Sequence, residues 1–259
     1  MTQPEDGTRN RTGIHTAKDA KQAIQGAAEG TPDSARTVEP RRLTEVRGEL
    51  VREAGSLGTV PRPVTLKGTV KATIQTIKGH SPAVLVDLLA ARLAFERTGT
   101  RLYDALLIKH EAAHIPPGGP GRDDLELIRD QELRHMGLLS RCLETLGADP
   151  TAVTPAADVG GVAGAGLVAV VADPRVTFTQ ALDAMVIAEL ADNDAWVTLA
   201  DLADRLGMDE MAADFREALV EEEDHLARVR AWLNAAITAQ AGLSPSPQPP
   251  PPEAHKPIS

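Results

Sequence analysis

The strongest constraint on this chain is a set of four long segments in which apolar residues recur at three- and four-residue spacing, each closed by proline or glycine. Apolar residues so spaced form one face of an α-helix, and Pro or Gly punctuates its ends. The first segment opens at Ser81-Pro82, a cap followed by Pro at the first helical position, and has to stop before Pro116-Pro117. The second runs from about Arg122 to Gly147, the third from after Asp173-Pro174 to Gly207, and the fourth from Asp209 to about Gln240. Short connections join the first pair and the last pair, so each pair is predicted as an antiparallel helical hairpin. The connection between the hairpins, Ala148 to Asp173, is far longer than a turn requires. A helix of about 27 residues is roughly 40 Å long. One connection of this size can run the length of a four-helix bundle as its single crossover. The expected fold is therefore all-α, a four-helix bundle over residues 81–241 with one long crossover between helices 2 and 3. Aromatic residues make up only 2% of the chain, which also favours packed helices over a β-sandwich.

The flanks read differently. Residues 1–62 are polar and carry both charge signs, and are expected to form a mobile N-terminal arm with at most one short amphipathic helix, in LTEVRGELVREAG. Residues 63–80 form a short basic segment, helical if it packs against the bundle. Residues 242–259 are expected to be a disordered Pro-rich tail, with PSPQPPPP extended because Pro cannot donate helix hydrogen bonds. Up to residue 80, Lys and Arg number 13 against 9 acids, and beyond it 14 against 28. That concentration of negative charge argues against nucleic acid as a partner and favours cations. The N-terminal residues carry no apolar core of the kind a secretory signal needs, and the longest apolar stretch, Val159 to Val171, is short and rich in Gly. A cytoplasmic location with no membrane partner is expected. The single cysteine, Cys142, excludes a disulfide framework and a rubredoxin-type iron site, and reads as a small buried hydrophobe.

Chemistry enters through glutamate and histidine. The second segment contains Glu132 and His135, three residues apart, and the fourth contains Glu222 and His225 at the same spacing. Residues at i and i+3 share a helix face, so each pair can converge on one metal ion. The first and third segments each carry a lone inward-looking glutamate, Glu96 and Glu189. Tyr103 and Trp196 follow these by seven residues, two turns along the same face. The intervals from lone to paired glutamate are 36 and 33 residues, as in a duplicated hairpin. A competing reading puts Glu222 on a solvated acidic face and pairs Glu96 with Arg92 or Arg101 on its own helix. Against it, four glutamates on the apolar sides of four helices are very costly unless paired or metal-bound.

A lone Glu, a Glu-x-x-His, a second lone Glu and a second Glu-x-x-His resemble the ferritin-like di-iron and di-manganese carboxylate proteins, rubrerythrins and bacterioferritins among them. The resemblance covers residues 81–241. It implies that Glu132 and Glu222 bridge two metal ions, with Glu96 and His135 completing one and Glu189 and His225 the other. Such families often place an acid just before each paired glutamate, bonded to the opposite histidine; Gln131 and Glu221 stand there. The resemblance also implies a redox or hydrogen-bonding role for Tyr103, the catalytic candidate, and makes Asp192 an auxiliary ligand. The implied cofactor is two Fe ions, with Mn as the alternative. The implied function is an oxidoreductase acting on peroxide or O2, like a rubrerythrin or a ferroxidase. It would draw electrons from an external donor or from Fe(II) itself, and a homodimer is expected. The alternatives are a di-manganese catalase and a metal-free helical interaction module.

HEAAH, His110 to His114, is the other metal-like motif, since H-E-x-x-H on a helix is a zinc-peptidase signature. It lies in the last turn before Pro116, about 27 Å along the helix from Glu96. Pro117 and Pro120 occupy the places where a metzincin needs Gly and His. Lys109, His110 and His114 are accordingly expected to be favourable polar groups at a helix C-terminus.

Overall fold

A computed structural model describes residues 40–55, 57–60 and 82–243. Most of the expected arm, the basic segment at 63–80 and the Pro-rich tail from residue 244 lie outside the described residues. The chain divides into two units, Met1–Gly55 and Ser56–Ser259. In the first, α1 (Pro40–Glu53) is the helix expected in LTEVRGELVREAG. The second holds α2 (Pro82–Ala112), α3 (Arg122–Thr145), α4 (Pro155–Ala172), α5 (Phe178–Arg205) and α6 (Asp209–Gln240). The described residues contain no strand, and their regular structure is all helical.

The long helices begin and end close to where the punctuation puts them. α2 stops at Ala112 because Pro116 has no N–H to offer the Ala112 carbonyl. The start of α5 is fixed by Thr177, whose Oγ1 accepts from Gln180 N at 3.3 Å while Gln180 Oε1 accepts from Thr177 N at 2.9 Å, a reciprocal capping box. α3 and α5 end alike: Leu146 and Leu206 keep helical φ, then Gly147 and Gly207 turn the chain with φ of 80° and 68°. Ala148 N and Met208 N then reach back to Leu143 and Ala203 carbonyls at 2.9 Å, closing each helix.

The middle connection departs from expectation, because most of it is itself a helix, α4. Thr154 caps it, Pro155 occupies its first turn, and Asp87 Oδ1 on α2 accepts from Ala156 N at 2.9 Å. Its glycines allow a close approach: a Cβ on Gly164 would lie 3.2 Å from Thr98 Cγ2 of α2. Nearly every residue of α4 is apolar or Gly, so no polar face marks it as a helix in the sequence. Among the described residues, α4 alone is long and apolar enough to cross a membrane by length and composition. Here it packs on α2 and α5.

α2 also packs on α3 and α5, α5 on α6, and α3 touches α6. The apolar side chains form two separate clusters. One joins the beginning of α2 to the end of α3, the end of α5 and the beginning of α6, with Leu85, Leu89, Leu143, Trp196 and Phe215 at its centre. The other joins the opposite ends, through Leu102, Leu106, Ile128, Leu182 and Trp232. Neighbouring long helices therefore run antiparallel, and a band free of apolar core lies between the clusters.

The turn at Gly207 is a direct test of backbone strain, since an added Cβ there meets open space. Gly207→Ala is expected to lower stability by about 1 kcal/mol through its positive φ alone, read by urea unfolding.

Candidate metal centre

The band between the apolar clusters is where the sequence-predicted residues meet. Glu96, Glu132, His135, Glu189, Glu222 and His225 are all buried there, together with Tyr103, Asp192 and Arg92. Donor atoms of Glu132, Glu189, Glu222 and His225 lie within 4.8 Å of one another, and those of Glu96, His135 and Glu222 likewise. Glu222 belongs to both groups and Glu132 to the first. Each group could hold a metal ion.

The imidazoles are aimed by the residues beside the paired glutamates. His225 Nε2 lies 3.1 Å from Gln131 Oε1, and His135 Nε2 lies 2.8 Å from Glu221 Oε2, each across the α3–α6 contact. An amide oxygen accepts only, so His225 carries its proton on Nε2 and turns the Nδ1 lone pair inward. That Nδ1 faces Glu132 Oε1 at 3.4 Å, Glu222 Oε2 at 3.4 Å and Glu189 Oε2 at 3.8 Å. His135 Nδ1 faces Glu222 Oε1 at 2.8 Å and Glu96 Oε2 at 3.8 Å. Lone pair against lone pair is repulsive, so a proton or a cation has to lie between these atoms.

The other carboxylate oxygens are tied back. Tyr103 donates to Glu189 Oε1, and Trp196 Nε1 donates to Glu96 Oε1 at 3.1 Å. Arg92 Nε lies 3.1 Å from the same Glu96 oxygen, and its terminal nitrogen 2.5 Å from Asp192 Oδ1. These Arg92 contacts are ion pairs without the alignment of hydrogen bonds. Glu96 thus has the Arg92 partner of the competing reading and still turns Oε2 toward His135. Buried atoms left without a hydrogen bond include Glu96 Oε2, both Glu132 oxygens, Glu189 Oε2, both Glu222 oxygens and both Nδ1 atoms. They are the inward-facing donor atoms.

Three contributors escaped the sequence reading of the site. Arg92 figured only as an alternative partner for Glu96. Gly99 makes room for a ligand candidate, since a Cβ there would lie 2.1 Å from Glu132 Oε2 and 2.9 Å from its carboxyl carbon. Asn193 Nδ2 donates to the backbone carbonyls of Glu189 and Glu222, both at 2.9 Å, and so locks α5 to α6 at the cluster. Gly and Asn are poor formers of helix interiors, and that local cost was the available signal.

Burial first, and then a neighbouring carboxylate, push Glu96, Glu132 and Glu189 well above the ordinary carboxylate range. Burial raises Asp192 as well, against the pull of Arg92. Burial works the same way on Glu222, but the His135 and His225 imidazoles beside it, with Nδ1 at 2.8 Å and 3.4 Å, overcome it and bring that group down to about 2. Burial works to lower His135, yet the adjacent Glu222 carboxylate and then the Glu96 charge leave it raised.

HEAAH does not form a second centre. His114 lies beyond the end of α2, His110 Nε2 meets the Pro120 carbonyl oxygen at 3.0 Å, and exposed Glu111 pairs with Arg122. Lys109 Nζ donates to the carbonyls of Asp173 and Val176, both at 2.7 Å, a polar tie at the helix end. Cys142 is buried, and its thiol is pushed up to about 11, first by burial and then by Asp214.

Comparison with protein-family models, with curated proteins and with solved structures gives no match to this chain. Its class therefore rests on its own geometry. Among the described residues the chain is all-helical, with a buried Glu/His cluster that could bind metal, compatible with a ferritin-like fold.

The raised carboxylates add stability that is full below their unfolded values and is lost as pH rises through the folded ones, and raised His135 acts in the same direction. Glu222 acts oppositely, but only in the acid range between its two values. Chelator-treated protein is expected to show a falling Tm from about pH 5 to about pH 8. A Tm that rises over that range would contradict these shifts.

Proposed function

We propose that this chain is a ferritin-like four-helix protein whose cluster holds two iron ions and reduces peroxide or O2. The ring of contacts from α2 to α3, α6, α5 and back to α2 supports the bundle, and α4 supplies the connection between its hairpins. One observation carries the metal reading. Counted in the protonation state that metal ligation needs, carboxylates ionised and imidazoles neutral, five buried carboxylates and one guanidinium leave four negative charges, which two divalent cations would match. Carboxylate and imidazole donors suit iron or manganese better than soft-ligand metals.

Glu96 and His135 would hold one ion, and Glu189, His225 and Glu132 the other, with Glu222 shared. When bound, two reduced ions supply two electrons to a small oxidant. The chain's own residues do the rest. Gln131 and Glu221 fix both imidazoles with Nδ1 inward. Tyr103 and Trp196 fix Glu189 and Glu96. The two apolar clusters keep bulk water away, which strengthens every electrostatic contact between them. Burial, and then the Glu189 charge, hold the Tyr103 phenol well above its ordinary value, so it keeps its proton and remains a donor beside the cluster. One cysteine cannot supply the four thiolates of a rubredoxin-type site, so electrons would come from an external donor or from Fe(II) as substrate.

The same donors suit manganese, which makes a di-manganese catalase the second reading. Elemental analysis and oxygen release from peroxide separate the two. For the iron reading, protein loaded anaerobically with Fe(II) is expected to develop ferric near-UV absorbance on adding peroxide or O2. An unchanged spectrum would sink the proposal. Gly99→Ala pushes the Glu132 carboxylate aside and is expected to weaken metal binding by about tenfold or more, with helical circular dichroism retained. A Gly99→Ala protein that binds metal as tightly as the parent would remove Glu132 from the ligand set.

A further inference from the structure

The cluster holds one carboxylate more than its two donor groups use. Asp192 lies one turn after Glu189 on α5 and is buried, yet it belongs to neither group. Arg92 accounts for it. Arg92 is 4% exposed, and its guanidinium is held by Asp192 at 2.5 Å, by Glu96 at 3.1 Å and by the Phe95 ring, whose centroid lies 4.3 Å away. With Asp192 neutralised by Arg92, the four glutamates alone carry the charge that two divalent ions would match.

We infer that Arg92 withholds Asp192 from the metal centre, leaving the ion at Glu96 and His135 one carboxylate poorer than its neighbour and open to a small incoming ligand. This rests on the metal-centre reading above. A divalent ion attracts a carboxylate more strongly than a guanidinium does at equal distance. Moving Asp192 onto the metal, however, would leave a buried arginine that cannot lose its proton with Glu96, itself a candidate ligand, as its one carboxylate partner beside two cations. A buried charge so poorly compensated is strongly destabilised, and that penalty holds Asp192 where it is. The donor count then stays unequal: four residues in the group that contains His225 and three in the group that contains His135. Glu221 tempers the difference by making His135 a better donor, but it adds no ligand.

Mn(II) is the probe, because it tests ligation without turnover. Crystals of the full chain soaked in Mn(II) are expected to show two anomalous peaks, Asp192 still on Arg92, and more non-protein ligands on the ion beside His135. Asp192 within bonding distance of manganese overturns the inference, as does an equal number of protein ligands on both ions. No manganese in the cluster overturns the metal-centre reading itself, a distinct result. In solution, a Mn(II) titration followed by the EPR signal of the free ion is expected to resolve two affinities. Arg92→Met frees Asp192 and is expected to tighten the weaker one about tenfold. The charge-conserving pair Arg92→Met with Asp192→Asn returns it to the parent value. A folded Arg92→Met protein with an unchanged weaker affinity also overturns the inference. Should that variant not fold, the parent crystals decide.

Discussion

Everything in this molecule is arranged around an excess of negative charge enclosed between two apolar clusters. Burying an uncompensated ionised group costs several kcal/mol even after the surroundings relax, whereas a whole domain is stable by only about 5–15 kcal/mol. Four uncompensated charges would consume that margin. The cluster therefore exists either with protons on its carboxylates, which is what the raised values of Glu96, Glu132, Glu189 and Asp192 express, or with cations among them. The inward lone pairs of His135 and His225, fixed from behind by Glu221 and Gln131, favour cations, since each imidazole is presented in its ligand form.

The helix pairs α2–α3 and α5–α6 each bring a lone glutamate and a Glu-x-x-His to the cluster, and the two pairs are not equivalent at the centre. Tyr103 ties back Glu189, and Trp196, seven residues past Glu189, ties back Glu96. Each aromatic thus serves the glutamate of the opposite half. Arg92 and Asp192 have no equivalent pair on the other side among the described residues. A guanidinium on one side and an amide behind one histidine give the two positions different surroundings, which is how a single site could bind one ion firmly and present the other to a reactant.

Much of this was legible in the sequence because helix punctuation and the i, i+3 spacing are local signals. Pro82, Gly147, Gly207 and Asp209 mark helix ends to within a few residues, and the spacing of Glu132 with His135 and Glu222 with His225 survives folding unchanged. Gln131 and Glu221, which the resemblance to ferritin-like proteins put beside the opposite histidines, lie 3.1 Å and 2.8 Å from them. Three features were hidden for physical reasons. α4 carries no polar stripe, so nothing in its pattern separates helix from apolar loop. The need for Gly99 depends on where Glu132 of another helix arrives. Arg92 has an obvious partner on its own helix, Glu96, and its second partner, Asp192, lies a hundred residues away in sequence. HEAAH shows the converse, a motif complete in sequence that the end of α2 takes apart.

The central claim is that metal ions, not protons alone, fill the space between the carboxylates. Metal content per chain, measured in protein isolated from its native source without added metal, tests it most directly. The account predicts about two transition-metal ions per chain, iron or manganese, as the four-glutamate, two-histidine arrangement requires. A folded, native preparation that carries none and takes up none on dialysis against either ion would contradict it.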